Sequence, residues 1–307
     1  MNRKLSKLAS AVALALAFGA GSAQAAIVVD NWTLNLTGVD GLGSIVVNNI
    51  DQIVFTGVAN AQHVIDAGGG TPDAAIEVGD DGRARGLLGA TTFISDGSAL
   101  LPGVSRLGVD YELTFTFDIL NVTTIIAGPN QNFTHLGEGH AAYGATGSTG
   151  LLNLYIDAFA NGGTVANQLT GAGYDDGELV ATFRILPGAG GVFNAITFNG
   201  SDDAIFELVS AKDGVILDGP GGNDIAIDGE LLAVTASQFD ADQDNNGSLD
   251  VACPSTKGWG PATGVTNFCA QEDGRASLQQ IPEPATVALL GIGLLGLGAS
   301  RRQWKKR

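Results

Sequence analysis

Apolar and polar residues alternate along several segments in the middle of the chain. From Tyr111 to Ile119 every second residue is aromatic or aliphatic, and the residues between them are polar. A repeat of two is typical of a β-strand that buries one face. Residues 152–158 and 179–186 show the same repeat. These segments predict strands that lie half buried against a common core.

Further short runs that fit strands are separated by glycine, asparagine and aspartate, the residues that favour turns. They cover residues 27–36, 44–48, 52–56, 91–95, 204–210 and 215–217. Asp213-Gly214 stands between the last two runs and favours a tight hairpin. The glycine-rich, polar stretches 67–85 and 137–150 are interpreted as long surface loops. The pattern predicts an all-β body, an antiparallel β-sandwich or jelly-roll-like fold, and no run with a convincing helical period occurs between the two ends of the chain.

The first residues contain the three parts of a secretory signal in order. Three cations within the first seven residues precede the uncharged apolar run Leu8–Phe18, and the small residues of Ala23-Gln24-Ala25 follow. This order of charge, apolar helix and cleavage site is typical of a signal peptide. We expect residues 1–25 to be removed by cleavage between Ala25 and Ala26, with the Sec translocon and signal peptidase as partners.

The last residues predict a membrane segment. Residues 285–300 form an uncharged, mostly apolar run, and five cations follow it. At about 1.5 Å per residue, a transmembrane helix of this length falls slightly short of a hydrocarbon core of about 30 Å, and flanking Arg and Lys side chains can reach the interface. The cations should stay cytoplasmic, which places the body outside the inner membrane.

Pro282-Glu283-Pro284 precedes this apolar run, and the whole ending resembles the PEP-CTERM sorting signal. That signal consists of a Pro-Glu-Pro triplet, a short apolar helix and a terminal Arg-rich cluster, and all three occur here in order. The resemblance implies processing near the triplet by an exosortase, a membrane cysteine protease. It also implies a bacterium that makes extracellular polysaccharide, and a final location at the cell surface or in the extracellular matrix.

The net charge distinguishes the body from the two ends. The whole chain carries −17 at pH 7, but its ends hold eight of the 15 cations and one of the 32 acids, which leaves the body near −24. This charge excludes nucleic acid and anionic lipid as partners, because both require a cationic surface. Divalent cations and uncharged or cationic extracellular polysaccharide are compatible with it. The 45 glycines favour strands and turns over helices.

Cys253 and Cys269 are the two cysteines of the chain. In an exported protein an even pair indicates a disulfide, and two free buried thiols are the alternative. The acidic stretch after Phe239, together with the cysteine loop, is interpreted as an appended loop module. The predicted organisation is a signal peptide at 1–25, a β-sandwich body at 26–238, the acidic and disulfide loops at 239–280, and a sorting tail at 281–307.

The segment from Asp242 to Asp250 fits the opening of an EF-hand-type calcium loop. Alternate residues of such a loop direct oxygens inward, and a glycine at the sixth position permits the sharp turn. It resembles EF-hand and dockerin-like loops, but Cys253 stands where their bidentate Glu is found. A solvated acidic turn remains the alternative. The predicted Ca²⁺ ligands are the side chains of Asp242, Asp244, Asn246 and Asp250 and the carbonyl of Ser248.

Other chemical motifs are weaker. His135, Glu138 and His140 fit no zinc-protease spacing, and two glycines interrupt any helix that would align them. No nucleophile elbow, phosphate-binding loop or dinucleotide fingerprint occurs in the sequence. The acidic pairs Asp175-Asp176 and Asp202-Asp203 would serve glycoside hydrolysis only if carboxylates faced each other across a cleft. The sequence therefore predicts a non-enzymatic protein.

Four segments of the body are similar to flocculation-associated PEP-CTERM proteins: Asn31-Trp-Thr-Leu, Phe115-Thr-Phe, Gly177-Glu-Leu-Val-Ala-Thr-Phe and Gly200-Ser-Asp-Asp. The resemblance implies a matrix or surface protein that acts in aggregation, flocculation or biofilm. The alternative is a carbohydrate-binding or carbohydrate-active protein on a jelly-roll scaffold, which such a fold permits without implying it. A cleft with two facing carboxylates would favour the enzyme, and a flat polar sheet face would favour the structural role.

Overall fold

The structure is a computed structural model that describes residues 27–28, 31–67, 75–162, 164–225, 231–244, 248–259 and 266–280. The signal helix expected over residues 1–25 and the membrane helix expected over residues 285–300 lie outside these ranges. Among the helices that the structure does describe, none combines the length and the apolar character needed to cross a bilayer. Residues Val28–Gln279 form one compact unit.

The described chain is built almost entirely of strands. The strands are β1 Ile27–Val28, β2 Trp32–Asn35, β3 Val46–Ile50, β4 Gln52–Ile65, β5 Asp81–Ser95, β6 Ser98–Ala99, β7 Tyr111–Ala127, β8 Asn130–His135, β9 Leu151–Ala158, β10 Glu178–Ile185, β11 Gly190–Asn194, β12 Asn199–Ala211, β13 Ile216–Leu217, β14 Leu231–Asp240 and β15 Asn267–Gln280. The helices are α1 Pro102–Ser105, α2 Ala141–Thr146 and two 3₁₀ turns at Val39–Gly41 and Phe159–Asn161.

The large antiparallel sheet closes on itself. β4 pairs with β5, β5 with β7, β7 with β9, β9 with β10 and β10 with β12. From β12 the ladder continues through β14 and β15 and returns to β4. Because every strand on this path has a partner on both sides, the sheet encloses an interior, and alternate side chains of each strand point into it.

Two different strand pairs complete the sheet at its two ends. The first half of β7, residues 111–118, pairs with β9, whereas its second half, residues 121–127, pairs with β8. β12 behaves in the same way, since residues 199–202 pair with β11 and residues 206–211 pair with β10. β9 and β10 therefore bridge β7 to β12 at one end of the interior, and β8 and β11 bridge them at the other end.

The end bridged by β9 and β10 is apolar, and we call it the apolar end. Its core contains the fully buried side chains of Phe93, Leu113 and Ile156. The separate three-stranded sheet β13-β2-β3 packs against the same core through Trp32 and Leu34. Burial of apolar area on this scale is the main stabilising contribution to such a fold.

Two glycines within strands make room for aromatic rings in the interior. A Cβ atom on Gly86 would lie 1.9 Å from the ring of Phe117, and one on Gly274 would lie 2.6 Å from the ring of Phe55. Such distances are far below van der Waals contact, so a side chain at either position would displace the ring. The glycines therefore belong to the packing of the strands rather than to turns.

The all-β, antiparallel prediction is confirmed, and so are the strands predicted over 111–120, 152–158 and 179–186. The hairpin predicted at Asp213-Gly214 is wrong. The chain does turn there, with a backbone hydrogen bond of 3.3 Å from Val215 to Lys212, but β13 then pairs with β2 instead of returning along β12. Pairing with the small sheet buries Ile216 in the apolar core, which a hairpin with β12 would not provide.

Two of the predicted loops contain regular structure. In the stretch 67–85, the residues from Asp81 onward form the start of β5, and the stretch 137–150 contains α2. The segment 239–280 is more than an appended loop module, because its last part, β15, is a central strand that pairs with β4 over residues 267–277. The residues of β15 alternate between small and polar types and lack the strong apolar repeat of β7, so the sequence did not indicate this strand.

Candidate functional site

The three aspartates of the predicted calcium loop come together. β14 ends at Asp240, and oxygens of Asp242, Asp244 and Asp250 lie within 4.8 Å of one another. A backbone hydrogen bond of 2.8 Å from Asp250 to Ala241 closes the loop. Asp242 is buried, whereas Asp244 is exposed. Three carboxylates this close repel one another, and a divalent cation would relieve that repulsion.

The other predicted ligands are placed less completely. Ser248 is described and exposed, and Asn246 lies outside the described residues. Asp240 does not belong to the group of three. Its Oδ1 accepts a hydrogen bond of 3.0 Å from the backbone N–H of Asp242. Asp240 therefore shapes the start of the loop.

The predicted disulfide is present. Cys253 and Cys269 are joined by an S–S bond of 2.04 Å. Cys269 lies on β15 and is fully buried in a small outer cluster with Val58, Leu87, Tyr174 and Trp259. The bond therefore fastens the loop that follows the acidic segment to the outer face of the closed sheet.

The interior at the end bridged by β8 and β11 is polar, and we call it the polar end. His135 is 1 % exposed, and its Nε2 lies 2.8 Å from Oδ1 of Asp202 on β12. Glu272 on β15 is buried in the same region. Burial, followed by the charge of Asp202, raises the pKa of the Glu272 carboxyl to about 8, while a hydrogen bond from Ser237 opposes the rise.

A second buried histidine lies at the end of β4. Nε2 of His63 is 3.4 Å from Oδ2 of Asp80 and 3.9 Å from Oδ1 of Asp66. The two carboxylate oxygens of Asp80 accept backbone hydrogen bonds of 2.7 Å from Ala67 and 2.5 Å from Glu77. Asp80 thus connects His63 to the chain on either side of residues 68–74.

A cavity of about 120 Å³ lies between these polar groups. One part of its wall is aromatic, because Phe193 stacks on Phe268 with ring centroids 4.8 Å apart and an interplanar angle of 14°. The carboxyl groups of Asp202 and Glu272 line the same cavity, together with His63. An apolar cavity with a few convergent polar groups is the kind of place in which small ligands bind.

The outer face of the sheet at the polar end carries a groove of about 630 Å³. It crosses β8, β11, β12, β14 and β15 and continues to the first residues of the acidic loop. Side-chain amides and carboxylates dominate its wall, and they are numerous enough to form hydrogen bonds with many hydroxyl groups of a ligand. The polar residues that line it are Asn130, Asn194, Asn199, Ser201, Gln238, Asp240, Gln243, Gln271 and Asp273.

The remaining motifs do not form sites. His135 is buried beside Asp202, whereas His140 is exposed and caps α2 by accepting a hydrogen bond of 3.3 Å from the backbone N–H of Ala142. The two histidines therefore do not share a metal. Asp175 pairs with Lys257, and its neighbour Asp176 accepts a hydrogen bond from the backbone N–H of Thr164.

The sequence contained little signal for the polar interior. Asp202 and His135 are 67 residues apart in sequence. Each lies on a strand, where a polar residue is ordinarily expected to face solvent, so neither residue indicated a buried polar interior. Of the acidic pair Asp202-Asp203, Asp202 points into the interior. The position of Glu272 within the predicted loop module likewise gave no reason to expect burial.

A model of the PEP-CTERM protein-sorting motif matches residues 280–302. The chain is a PEP-CTERM protein. The motif includes the Pro282-Glu283-Pro284 triplet, which lies outside the described residues, as do the cleavage residues Ala25 and Ala26. As a PEP-CTERM protein it is exported, is processed by an exosortase, and is held in the membrane by its C-terminal tail before processing. No curated protein and no solved structure matches the chain significantly.

Proposed function

We propose that this PEP-CTERM protein is a non-enzymatic component of the cell surface or the extracellular polysaccharide matrix, where it acts in aggregation, flocculation or biofilm formation. The observation that carries the proposal is the sorting motif at residues 280–302 directly after the strand β15. A body of charge near −24 favours uncharged polysaccharide over nucleic acid or anionic lipid as the surrounding material.

The position of Asp202 and Glu272 supports a role without catalysis on a polymer. Glycoside hydrolysis requires two carboxylates on either side of a bond in a polysaccharide chain. Asp202 and Glu272 line a cavity of about 120 Å³ inside the closed sheet, which has no room for such a chain. Asp202 is also engaged by His135 at 2.8 Å.

Carbohydrate binding is the second candidate, and the amide-lined groove favours it. The groove lies on an outer sheet face, and exposed Gln238 and Gln243 border it next to the acidic loop. Amide groups both donate and accept hydrogen bonds, as sugar hydroxyls do. Binding of an uncharged polysaccharide there would hold the protein in the matrix without any chemical step.

Calcium binding at the acidic loop is part of the same proposal. The convergence of Asp242, Asp244 and Asp250 within 4.8 Å supports it. With Cys253 in place of the bidentate Glu, affinity should lie in the weak range of about 10⁻⁴–10⁻³ M found for extracellular modules. The disulfide begins three residues after Asp250, so one side of the loop is covalently fixed.

Gene deletion in the host tests the role in the matrix. We expect a deletion strain to lose aggregation and retained surface polysaccharide, and the wild-type gene to restore both. A gene with all three residues of the Pro282-Glu283-Pro284 triplet changed to Ala should not restore them. Unchanged aggregation in the deletion strain would contradict the role, and shortening of the polysaccharide by purified protein would favour the enzyme.

The groove is tested with a matched pair of double variants. Gln238→Ala with Gln243→Ala removes two exposed amides from the groove, and Asn161→Ala with Asn223→Ala removes two exposed amides elsewhere. Only the first pair should weaken retention of the protein on the host polysaccharide in a sedimentation assay. Equal retention of both would exclude the groove as the binding surface.

Thermal melts test the calcium loop. Binding to the folded state alone stabilises it by RT ln(1 + [L]/Kd), about 1.4 kcal/mol when free calcium is roughly tenfold above Kd. We expect calcium to raise Tm relative to chelator, Asp244→Ala to abolish most of that rise, and Asp213→Ala, a change in an exposed turn, to leave it intact. Coincident melting curves with calcium and with chelator would show that the acidic segment is a solvated turn.

A further inference from the structure

We propose that His63, Asp66 and Asp80 form a binding site for a divalent transition-metal ion, of which Zn²⁺ is the test case. The site lies where β4 ends and β5 begins, beside the interior cavity of the polar end. It shares no residue with the acidic loop, and it does not depend on the proposed role in the matrix. Distances, strand geometry and charge each contribute to the inference.

The three side chains bring one nitrogen and two oxygens close to a common point. Nε2 of His63 is 3.4 Å from Oδ2 of Asp80 and 3.9 Å from Oδ1 of Asp66, and the three side chains place ligand atoms within 4.8 Å of one another. Metal bonds of about 2.0–2.2 Å at tetrahedral angles place neighbouring ligand atoms about 3.3–3.6 Å apart. The contact of His63 with Asp80 has this spacing, and a small movement of Asp66, whose side chain is 32 % exposed, would give the other.

An irregularity at the end of β4 brings a further oxygen to the same nitrogen. His63 pairs with Gly82 and Ile65 pairs with Asp81, so two residues of β4 advance against one residue of β5. Bulges of this kind redirect side chains and often lie next to functional sites. The carbonyl oxygen of Ile65 lies 3.2 Å from Nε2 of His63, which makes it a fourth donor within reach of an ion.

The carboxylate of Asp80 is held in place by the backbone around it. Its side chain is 1 % exposed, and its two oxygens accept hydrogen bonds from the N–H groups of Ala67 at 2.7 Å and Glu77 at 2.5 Å. The N–H of Thr123 donates to the carbonyl of Asp80 at 2.9 Å. Carboxylates that bind metals are commonly oriented by such hydrogen bonds. A ligand that is already ordered loses less entropy when the ion binds.

The charges around the site favour a cation whether or not His63 carries a proton. Asp66 and Asp80 contact His63, and Asp81 lines the same cavity, so three carboxyl groups surround one imidazole. Arg83 also lines the cavity, but Asp118 holds it through two bonds of 2.8 and 2.6 Å. The other carboxyl groups of the cavity wall, those of Asp202 and Glu272, add to the excess of acid. A divalent ion would relieve the repulsion within this group.

A hydrogen bond without a metal is the alternative arrangement. A hydrogen on Nε2 of His63 can donate to the carbonyl of Ile65 or to Asp80. One hydrogen forms a well-aligned bond with one oxygen, whereas three oxygens lie 3.2, 3.4 and 3.9 Å from this nitrogen. An ion between them contacts all of the donors, and its binding displaces the hydrogen from Nε2.

The imidazole nitrogen determines the class of ion. Ca²⁺ and Mg²⁺ prefer sites made of oxygen atoms alone, whereas imidazole suits Zn²⁺ and related transition metals. The acidic loop contributes carboxylate oxygens, so the two sites should select different ions. The adjoining cavity of about 120 Å³ can hold ordered water, which would complete the coordination of the ion.

Calorimetry on the exported protein with Zn²⁺ tests the site, with millimolar Ca²⁺ present to occupy the acidic loop. We expect one Zn²⁺ per chain that Ca²⁺ does not displace. His63→Gln should abolish this binding. Asp66→Asn should lower the affinity at least about tenfold, because even residues that only orient metal ligands contribute about 10–100-fold. Co²⁺ gives a second readout, since its visible absorption depends on the ligands, and His63→Gln should remove the absorption of the bound ion.

Two control variants match these changes. His140→Gln replaces an exposed histidine and Asp213→Asn an exposed aspartate, and both should bind Zn²⁺ as the wild type does. Asp66 is partly exposed, so Asp66→Asn provides the test if His63→Gln fails to fold. Absence of Zn²⁺ binding to the wild type, displacement of Zn²⁺ by Ca²⁺, or an affinity that Asp66→Asn leaves unchanged would overturn the proposal. Loss of binding in His140→Gln would also overturn it.

Discussion

The two ends of the closed sheet bury different kinds of side chain with the same strands. β4, β7, β12 and β15 each run through both ends, and at the apolar end they contribute a continuous core around Phe93, Leu113 and Ile156. At the polar end the same strands contribute His63, Asp202 and Glu272 and enclose a cavity. The apolar end therefore stabilises the fold through packing, whereas the burial of charged groups at the polar end lowers the free energy of unfolding.

Strands of a closed sheet allow this division because their interior positions repeat every second residue. A change from leucine to glutamate at an interior position alters the lining but not the backbone pairing. The polar end also carries the disulfide, which fixes the chain outside the sheet where interior packing contributes less. Sites with buried titratable groups commonly mark function rather than stability.

The largest effect should come from the apolar end. Phe93→Ala removes a fully buried ring and should lower the free energy of unfolding by about 3–5 kcal/mol. Phe268→Ala at the polar end is the matched control. It should cost less, because this ring already borders a cavity. Urea denaturation followed by circular dichroism measures both, and equal losses would show that the two ends are packed alike.

Loss of the disulfide should have the next largest effect. A loop of this length contributes about 3 kcal/mol in the chain-entropy model. The double variant Cys253→Ser with Cys269→Ser should therefore lower the free energy of unfolding by roughly that amount. Reduction of the wild-type protein should cause a similar loss, and an unchanged denaturation midpoint in both cases would show that interior packing alone maintains the polar end.

The pH dependence of stability should report Glu272. Its pKa rises from 4.5 in the unfolded chain to about 8 in the folded protein, so between these values the folded state binds more protons. Stability should therefore decrease as pH rises from about 5 to 8, with a slope of up to about 1.4 kcal/mol per pH unit from this one group. Burial also raises the pKa of Glu112 to about 7 and of Asp157 to about 6, and they add to the slope.

Glu272→Gln isolates the contribution of this residue. The difference in unfolding free energy between variant and wild type should be small near pH 5 and should grow in favour of the variant toward pH 8. Chemical denaturation across this range measures it. A difference that does not change with pH would mean that Glu272 is solvated in the folded protein.

The smallest effect should come from the outer face. Arg184 and Glu207 form a cross-strand ion pair of 2.6 Å between β10 and β12, and the Arg184 side chain is 45 % exposed. Exposed pairs contribute about 0–1 kcal/mol, so Arg184→Ala should change stability by less than that and lose its effect at high salt. A larger loss of stability would mean that ion pairs on the outer face also stabilise the apolar end.

The apolar end was largely predictable from sequence and the polar end was not. Strands β7, β9 and β10 show a clear apolar repeat because one face is buried in hydrocarbon and the other meets solvent. At the polar end the interior face is itself partly polar, so Asp202 and Glu272 resemble solvent-facing residues. The closure of the sheet also escaped prediction, because it depends on pairing between β4 and β15, which are more than 200 residues apart.

The candidate site shows the same contrast. The acidic loop was found because its oxygen ligands are close in sequence, and the disulfide because only two cysteines exist in an exported chain. The cavity is assembled from residues of β4, β5, β7, β8, β11, β12, β14 and β15, and no spacing along the chain encodes it. Glycine caused a further error, since Gly82 belongs to the stretch 67–85 that was predicted as a loop, although it lies within β5, where a Cβ atom would come within 2.4 Å of the Asn121 side chain.

The pairing of β4 with β15 also determines when the protein can fold. β4 emerges early from the translocation channel, but its partner strand ends at Gln280, where the sorting motif begins. The sheet therefore cannot close until almost the entire chain has crossed the membrane. Contacts this distant in sequence make folding slow. During export β4 can pair with β5, but its other edge has no partner until β15 arrives. The sheet therefore stays open until the sorting motif has reached the membrane.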